Sequence, residues 1–156
     1  MRAFWLLVCL IFPMQALALS CMKPSVTRTF KEIHAAPEIY IVVEGRLTLD
    51  AHKLPETNVE NPSAPPLTRV PATLSGTSMT GAGFDAPFSQ AITLEVACFG
   101  PWCGGAQNGM EVLAFLRKTA TGYALAIDPC GGHVFPNQKK LRRQVLRCFK
   151  GGACRE

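Results

Sequence analysis

The side chains of this chain best able to do chemistry are its cysteines and histidines, and their spacing limits what that chemistry is. Cys9 lies in an apolar opening run, and the other cysteines are Cys21, Cys98, Cys103, Cys130, Cys148 and Cys154. Structural zinc is held by paired Cys or His knuckles, and only Cys98 and Cys103 come close to one. An even set beyond the opening run reads as a disulfide framework instead. Proximity pairs Cys148 with Cys154. Trp102-Cys103-Gly104 has the outline of a redox centre, but the position of its resolving cysteine is Ala106. Cys98, just upstream, suits a structural disulfide closing a turn through Gly100 and Pro101. The spacing leaves the full map open. His34, His52 and His133 each stand alone, with no nucleophile elbow and no His-Glu-x-x-His pattern beside them. Gly81-Ala82-Gly83 lacks the third glycine of a dinucleotide fingerprint and reads as a turn. No catalytic residue, metal ligand set or cofactor follows from these residues, and the chain reads as non-enzymatic.

A second kind of chemistry is carried by charge. Residues 21–138 hold eight Lys/Arg against ten Asp/Glu, whereas residues 139–156 hold seven against one. The formal net charge of +5 is therefore a property of the C-terminal segment. Lys139, Lys140, Arg142, Arg143, Arg147 and Lys150 fall in one stretch that lacks glycine and proline. Leu141, Val145 and Cys148 or Phe149 recur on one face of it. This is a cationic helix over Gln138–Phe149, ended by Gly151 and Gly152, with late cations that suit the helix dipole. Such a face is ordinarily just solvated, but it also suits an anionic surface. Phe149 is its lone aromatic, which argues against base stacking and hence against nucleic acid.

The chain opens with Met1 and Arg2, and then runs from Ala3 to Phe12 without a charged or polar side chain. Pro13 and Gln15 break the run, and small residues follow at Ala16, Ala18 and Ser20. Residues 1–20 read as a signal peptide, cleaved before Leu19 or before Cys21. About ten apolar residues span roughly 15 Å of helix, half of a bilayer's hydrocarbon core, which is too short for an anchor. Acylation of Cys21 is the alternative fate of such a leader. The expected product is one domain over residues 21–156, periplasmic or secreted.

The elements that must position these residues are mostly strands. Pro24–Ala36 places Val26, Phe30 and Ile33 at helical spacing, and Pro37 stops it. Ile39–Leu49 is dense in β-branched and aromatic residues and reads as a strand with a bulge or coil at Gly45. Residues 50–66 carry Pro55, Pro62, Pro65 and Pro66, an exposed connection. Leu67–Thr80 is weakly strand-like, and clearer strands follow at Ala91–Cys98, Glu111–Lys118 and Tyr123–Ile127. About five strands with a helix near each end make a mainly β, small closed or partly open barrel.

Several segments together resemble the netrin-module and tissue-inhibitor-of-metalloproteinase superfamily, including its small bacterial exported members. They are Cys21 directly after the leader, the helix containing Phe30, the strand Ile41-Val42-Val43-Glu44-Gly45-Arg46-Leu47, Trp102-Cys103-Gly104-Gly105, Val112-Leu113-Ala114-Phe115-Leu116 and Cys130-Gly131-Gly132. The resemblance implies a five-stranded OB-like barrel flanked by helices, with Cys21 stapled to one of Cys98, Cys103 and Cys130. It also implies a role for a free N-terminal Cys21 as a zinc-chelating group, with Met22 beside it entering a specificity pocket. The family's Cys-x-Cys is absent, because position 23 is Lys23.

Three functions follow as expectations. The first is an exported binding or inhibitory module for a protein or envelope component. The second is an envelope-associated protein that uses the cationic helix. An uncharacterised hydrolase is the reading these residues support least, since acid–base work needs positioned titratable pairs.

Overall fold

The computed structural model describes residues 19–58, 60 and 63–155. Residues 1–18, which include Cys9 and most of the expected signal peptide, lie outside the described residues. Helix α1 spans Val26–Ala35 and helix α2 Lys139–Phe149. Between them run β1 (Tyr40–Leu49), β2 (Leu67–Met79), β3 (Phe84–Phe99), β4 (Trp102–Cys103), β5 (Met110–Thr119), β6 (Gly122–Ile127) and β7 (Val134–Pro136). A short 3-10 turn at Ala51–Lys53 opens the proline-rich connection.

The sheet runs β1-β2-β3-β6-β5, and β5 pairs back onto β1 from Met110 to Arg117, so the strands close in a ring. All of these joints are antiparallel except β3 with β6, which is parallel from Ile92 to Val96. β7 adds to β5 beyond the end of β6, and β4 folds back on β3.

Closing a ring with so few residues demands long, strongly coiled strands, and two glycines make this feasible. Gly45 lies opposite Gly76 in an unbroken β1–β2 register. Of the two alternatives expected at Gly45, a bulge or a sharp coil, the bulge is absent. A Cβ on Gly45 would collide with the Ser75 carbonyl, and one on Gly76 with the Glu44 carbonyl. The glycine pair lets two backbones approach closely at this point of the ring.

β3 is longer than the clear strand expected at Ala91–Cys98, and the weak pattern of Leu67–Thr80 becomes the equally continuous β2. Both strands contain a proline, Pro71 in β2 and Pro87 in β3. Each sits where its strand has one neighbour: β1 pairs with β2 only from Ala72 onward, and β6 with β3 only from Ile92. A missing N–H is harmless on such an open edge.

Two apolar clusters sit on opposite faces of the sheet. Inside the ring are Val43, Leu47, Leu74, Leu94, Val112, Leu116 and Leu125 with their neighbours. Outside it, Val42, Leu113, Phe115 and Phe135 meet Val26 of α1 and Val145 of α2. Alternation along β5 sends Val112, Ala114 and Leu116 inward and Leu113 and Phe115 outward, which is why Val112–Leu116 is apolar without a break. Phe115 and Phe135 pack edge to face at 5.8 Å beneath the helices.

Three disulfides link Cys21 with Cys130, Cys98 with Cys103, and Cys148 with Cys154. They are the mark of an oxidising compartment. Among the described residues no helix is long and apolar enough to cross a membrane.

Candidate functional site

α2 is the first candidate region. Gln138 occupies its N-cap position without a side-chain hydrogen bond, and the helix holds its place by burying Val145 and Cys148, with Leu141 partly covered. Phe149, the alternative third position of that apolar face, is instead 48% exposed. At about 3.6 residues per turn, Lys139, Lys140, Arg143, Arg147 and Lys150 fall within an arc of about 100°. All five are exposed, and none makes an ion pair among the described residues. Leu146, Arg142 and Phe149 border that arc on one side.

Arg142 differs from the other cations. Its guanidinium donates to Glu44 Oε2 at 2.6 Å, and Thr77 Oγ1 donates to the other oxygen of Glu44 at 3.4 Å. The two side chains are only 31% and 15% exposed, so this pair fastens α2 to β1. Next to it a groove of about 400 Å³ opens between the helix and the start of β3. Phe84 and Leu146 form its apolar walls, and Lys139 and Arg143 stand at its rim with Glu44 and Arg142 at one side. Phe84 carries no local signal of such a role; it becomes part of the groove only because the β2–β3 turn brings it to α2.

The second region surrounds the N-terminal segment. Cys21 is bonded to Cys130 across 109 residues of sequence. The receiving turn, Cys130-Gly131-Gly132, needs its glycines: Gly132 has φ +69°, and a Cβ there would lie 2.7 Å from the Ala126 carbonyl. Asp128 tightens the turn by accepting the Cys130 N–H at 2.7 Å. On the other side of the staple, Ser25 caps α1 by accepting the Arg28 N–H at 3.3 Å. Met22, between the staple and the cap, is 74% exposed.

A depression of about 360 Å³ beside the staple gathers Cys21, Met22, Arg28, Glu32, Asp128 and His133 with their neighbours. His133 stood alone in the sequence, but the fold brings Glu32 from α1 and Asp128 from the end of β6 within electrostatic reach of it. Burial lowers the His133 pKa from its ordinary value, the two carboxylates oppose that shift, and Arg117 adds to it. The ring packs edge to face on Tyr40 at 5.7 Å. No hydrogen bond joins it to either carboxylate among the described residues, and no cluster of His, Cys, Asp and Glu there is arranged to hold a metal ion.

The remaining singled-out residues lie apart from both regions. His34 stacks on Phe30 at 5.9 Å, and His52 sits on the exposed 3-10 turn. Cys98 and Cys103 face each other across the β3–β4 pair. The Cys103 N–H donates to Thr57 Oγ1 at 3.2 Å, which anchors the proline-rich connection. No protein-family model matches the chain, and neither does any curated protein or solved structure.

Proposed function

We propose that this chain is an exported, non-enzymatic binding module, an OB-like barrel that presents α2 as a docking face for an anionic partner. The observation that carries this reading is the exposed arc of five cations, without an ion pair among the described residues, beside an apolar-walled groove, on a chain whose other residues are close to charge balance. Cations so placed attract a polyanionic surface and orient the molecule towards it before contact. The closed ring of five principal strands, with α1 and α2 packed outside it, supports the OB-like description. The likeness to the netrin-module superfamily supports it independently, and the disulfides support export.

The test is equilibrium binding of the oxidised chain to three probes at physiological salt: phosphatidylglycerol vesicles, polyphosphate and sulfated dextran. A quadruple variant, Lys139→Gln, Lys140→Gln, Arg143→Gln, Arg147→Gln, should lose binding while keeping its fold. Failure of the wild-type chain to bind any probe would overturn the reading.

A second reading rests on the staple. Cys21 is held by Cys130 at the surface with Met22 exposed beside it, the arrangement a zinc-chelating N-terminal cysteine requires in the family this chain resembles. It needs cleavage after Ser20, and it lacks the second N-terminal cysteine. A chain starting at Cys21 should inhibit at least one of a panel of zinc proteases, and a single added N-terminal alanine should abolish the effect. Equal behaviour of the two forms would discard it.

A further inference from the structure

The polar and apolar parts of the α2 face lie side by side, and that arrangement narrows the class of partner. A soluble polyanion needs only the cations; it has no use for the Phe84 and Leu146 walls or for the half-exposed Phe149. A nucleic acid would stack bases on aromatic side chains interleaved with the cations, whereas Phe149 stands at the border of the arc and Phe84 forms a groove wall. An anionic bilayer uses both parts. Its surface charge attracts the Lys and Arg side chains, and the region just below the phosphates accepts partly buried apolar groups.

The groove has the matching internal order. Its cations at the rim, Lys139 and Arg143, are unpaired among the described residues, and its third, Arg142, is already neutralised by Glu44 at 2.6 Å. That ion pair braces one wall and leaves the rim charges for a ligand. About 400 Å³ accommodates a polar headgroup and the first methylenes of its chains, but not a whole lipid.

Resting on the docking role of α2 given above, we infer that this groove seats the headgroup of an anionic phospholipid while the molecule lies with α2 along the bilayer surface. The phosphate sits against Lys139 and Arg143, and the glycerol and first methylenes sit against Phe84 and Leu146. Arg147 and Lys150 contact neighbouring headgroups, and Phe149 enters the interface at the end of the helix.

The experiment is sedimentation of the oxidised chain with phosphatidylcholine vesicles made with and without phosphatidylglycerol, run beside polyphosphate as a soluble competitor. Binding should require phosphatidylglycerol. Leu146→Gln should weaken it roughly tenfold through lost apolar insertion, and Arg143→Gln about fivefold through lost surface attraction. Arg143 is exposed, so that variant keeps its fold; thermal melts check Leu146→Gln. Short-chain phosphatidylglycerol below its micelle concentration should perturb the amide NMR signals of Phe84 and Leu146. If charge variants abolish vesicle binding while Leu146→Gln and those two signals stay unchanged, the groove inference is overturned and the cationic docking face survives. Binding to polyphosphate without binding to vesicles overturns the lipid as partner in the same way. Loss of binding to every anionic probe removes both the inference and the reading beneath it.

Discussion

Cys21 and Cys154 both end in disulfides close to α1, yet the two ends of the chain are attached by opposite means. Residues 19–25, before α1, form neither helix nor strand, carry Met22 exposed and are tied to the β6–β7 turn through a bond between residues 109 apart in sequence. α2 is seated by Val145, fully buried, and by Leu141 over Phe115 and Phe135, while its own disulfide closes a loop with a separation of only 6. A short irregular segment has no amphipathic face to bury and needs a covalent tie, whereas a two-sided helix is held by its apolar face, helped here by the Arg142–Glu44 pair at the border of that face. The outward face of α2 is thereby released from structural duty and can carry five cations.

That contrast predicts unequal responses to removing the two bonds. In the chain-entropy description a disulfide's contribution grows with the loop it closes. The double replacement Cys21→Ser, Cys130→Ser should lower stability by about 4 kcal/mol, and Cys148→Ser, Cys154→Ser by about 2 kcal/mol. Denaturant melts of the two variants measure the difference. Equal losses would mean that α2 depends on its disulfide as much as the N-terminal segment does. Val145→Ala should lower stability by about 2 kcal/mol through lost methyl burial and the residual cavity, and it should loosen α2 without disturbing the strands inside the ring. Hydrogen exchange would show protection lost in Lys139–Phe149 and kept in β2 and β3.

A smaller effect separates Arg142 from its neighbours. Arg143→Glu and Arg147→Glu remove exposed, unpaired cations and should change the melting temperature hardly at all. Arg142→Glu sets a second carboxylate against the partly buried Glu44 and should destabilise more than either, with partial recovery in the double variant Arg142→Glu, Glu44→Arg. Identical melts for all three single variants would show that the Glu44 pair adds nothing to the seat of α2.

Much of this arrangement was legible in the residues because its signals are local. The cationic helix repeats over a few turns, the apolar run of β5 is unbroken, and Cys148 and Cys154 are neighbours. What escaped depends on contacts between distant segments. Nothing near Gly45 tells a bulge from a close approach to Gly76, since both want glycine. The glycine and prolines of Leu67–Met79 and of the first half of Phe84–Phe99 weaken the local strand pattern, and only pairing across the ring makes both segments continuous strands. Phe84 and Arg142 are 58 positions apart and meet only because β3 starts beside α2. Asp128 and His133 share the turn between β6 and β7, and only the fold brings Glu32 of α1 to them.

Those three residues give the last and smallest test of the comparison, because the half-buried imidazole of His133 lies beside the N-terminal staple and α2 carries no histidine. Burial holds the His133 pKa below 6.5 in the folded chain, while the unfolded chain titrates at about that value. Below it the unfolded state binds more protons, so this contribution to stability is complete above about pH 6.5 and is lost as the pH falls from there through the folded pKa. The melting temperature should therefore drop between about pH 7 and about pH 5, and His133→Asn, which does not titrate, should flatten that part of the curve. Glu32 and Asp128 favour the imidazolium and limit the shift; Glu32→Gln removes one of these supports and should steepen the drop. Arg117, the nearby cation, and Tyr40, whose ring contacts the imidazole, do not change charge in this range. α2 carries no histidine, so vesicle binding at a temperature well below the melt should stay constant over the same pH span. A pH-stability curve unchanged by His133→Asn would show that the imidazole is solvated well enough to titrate as it does in the unfolded chain.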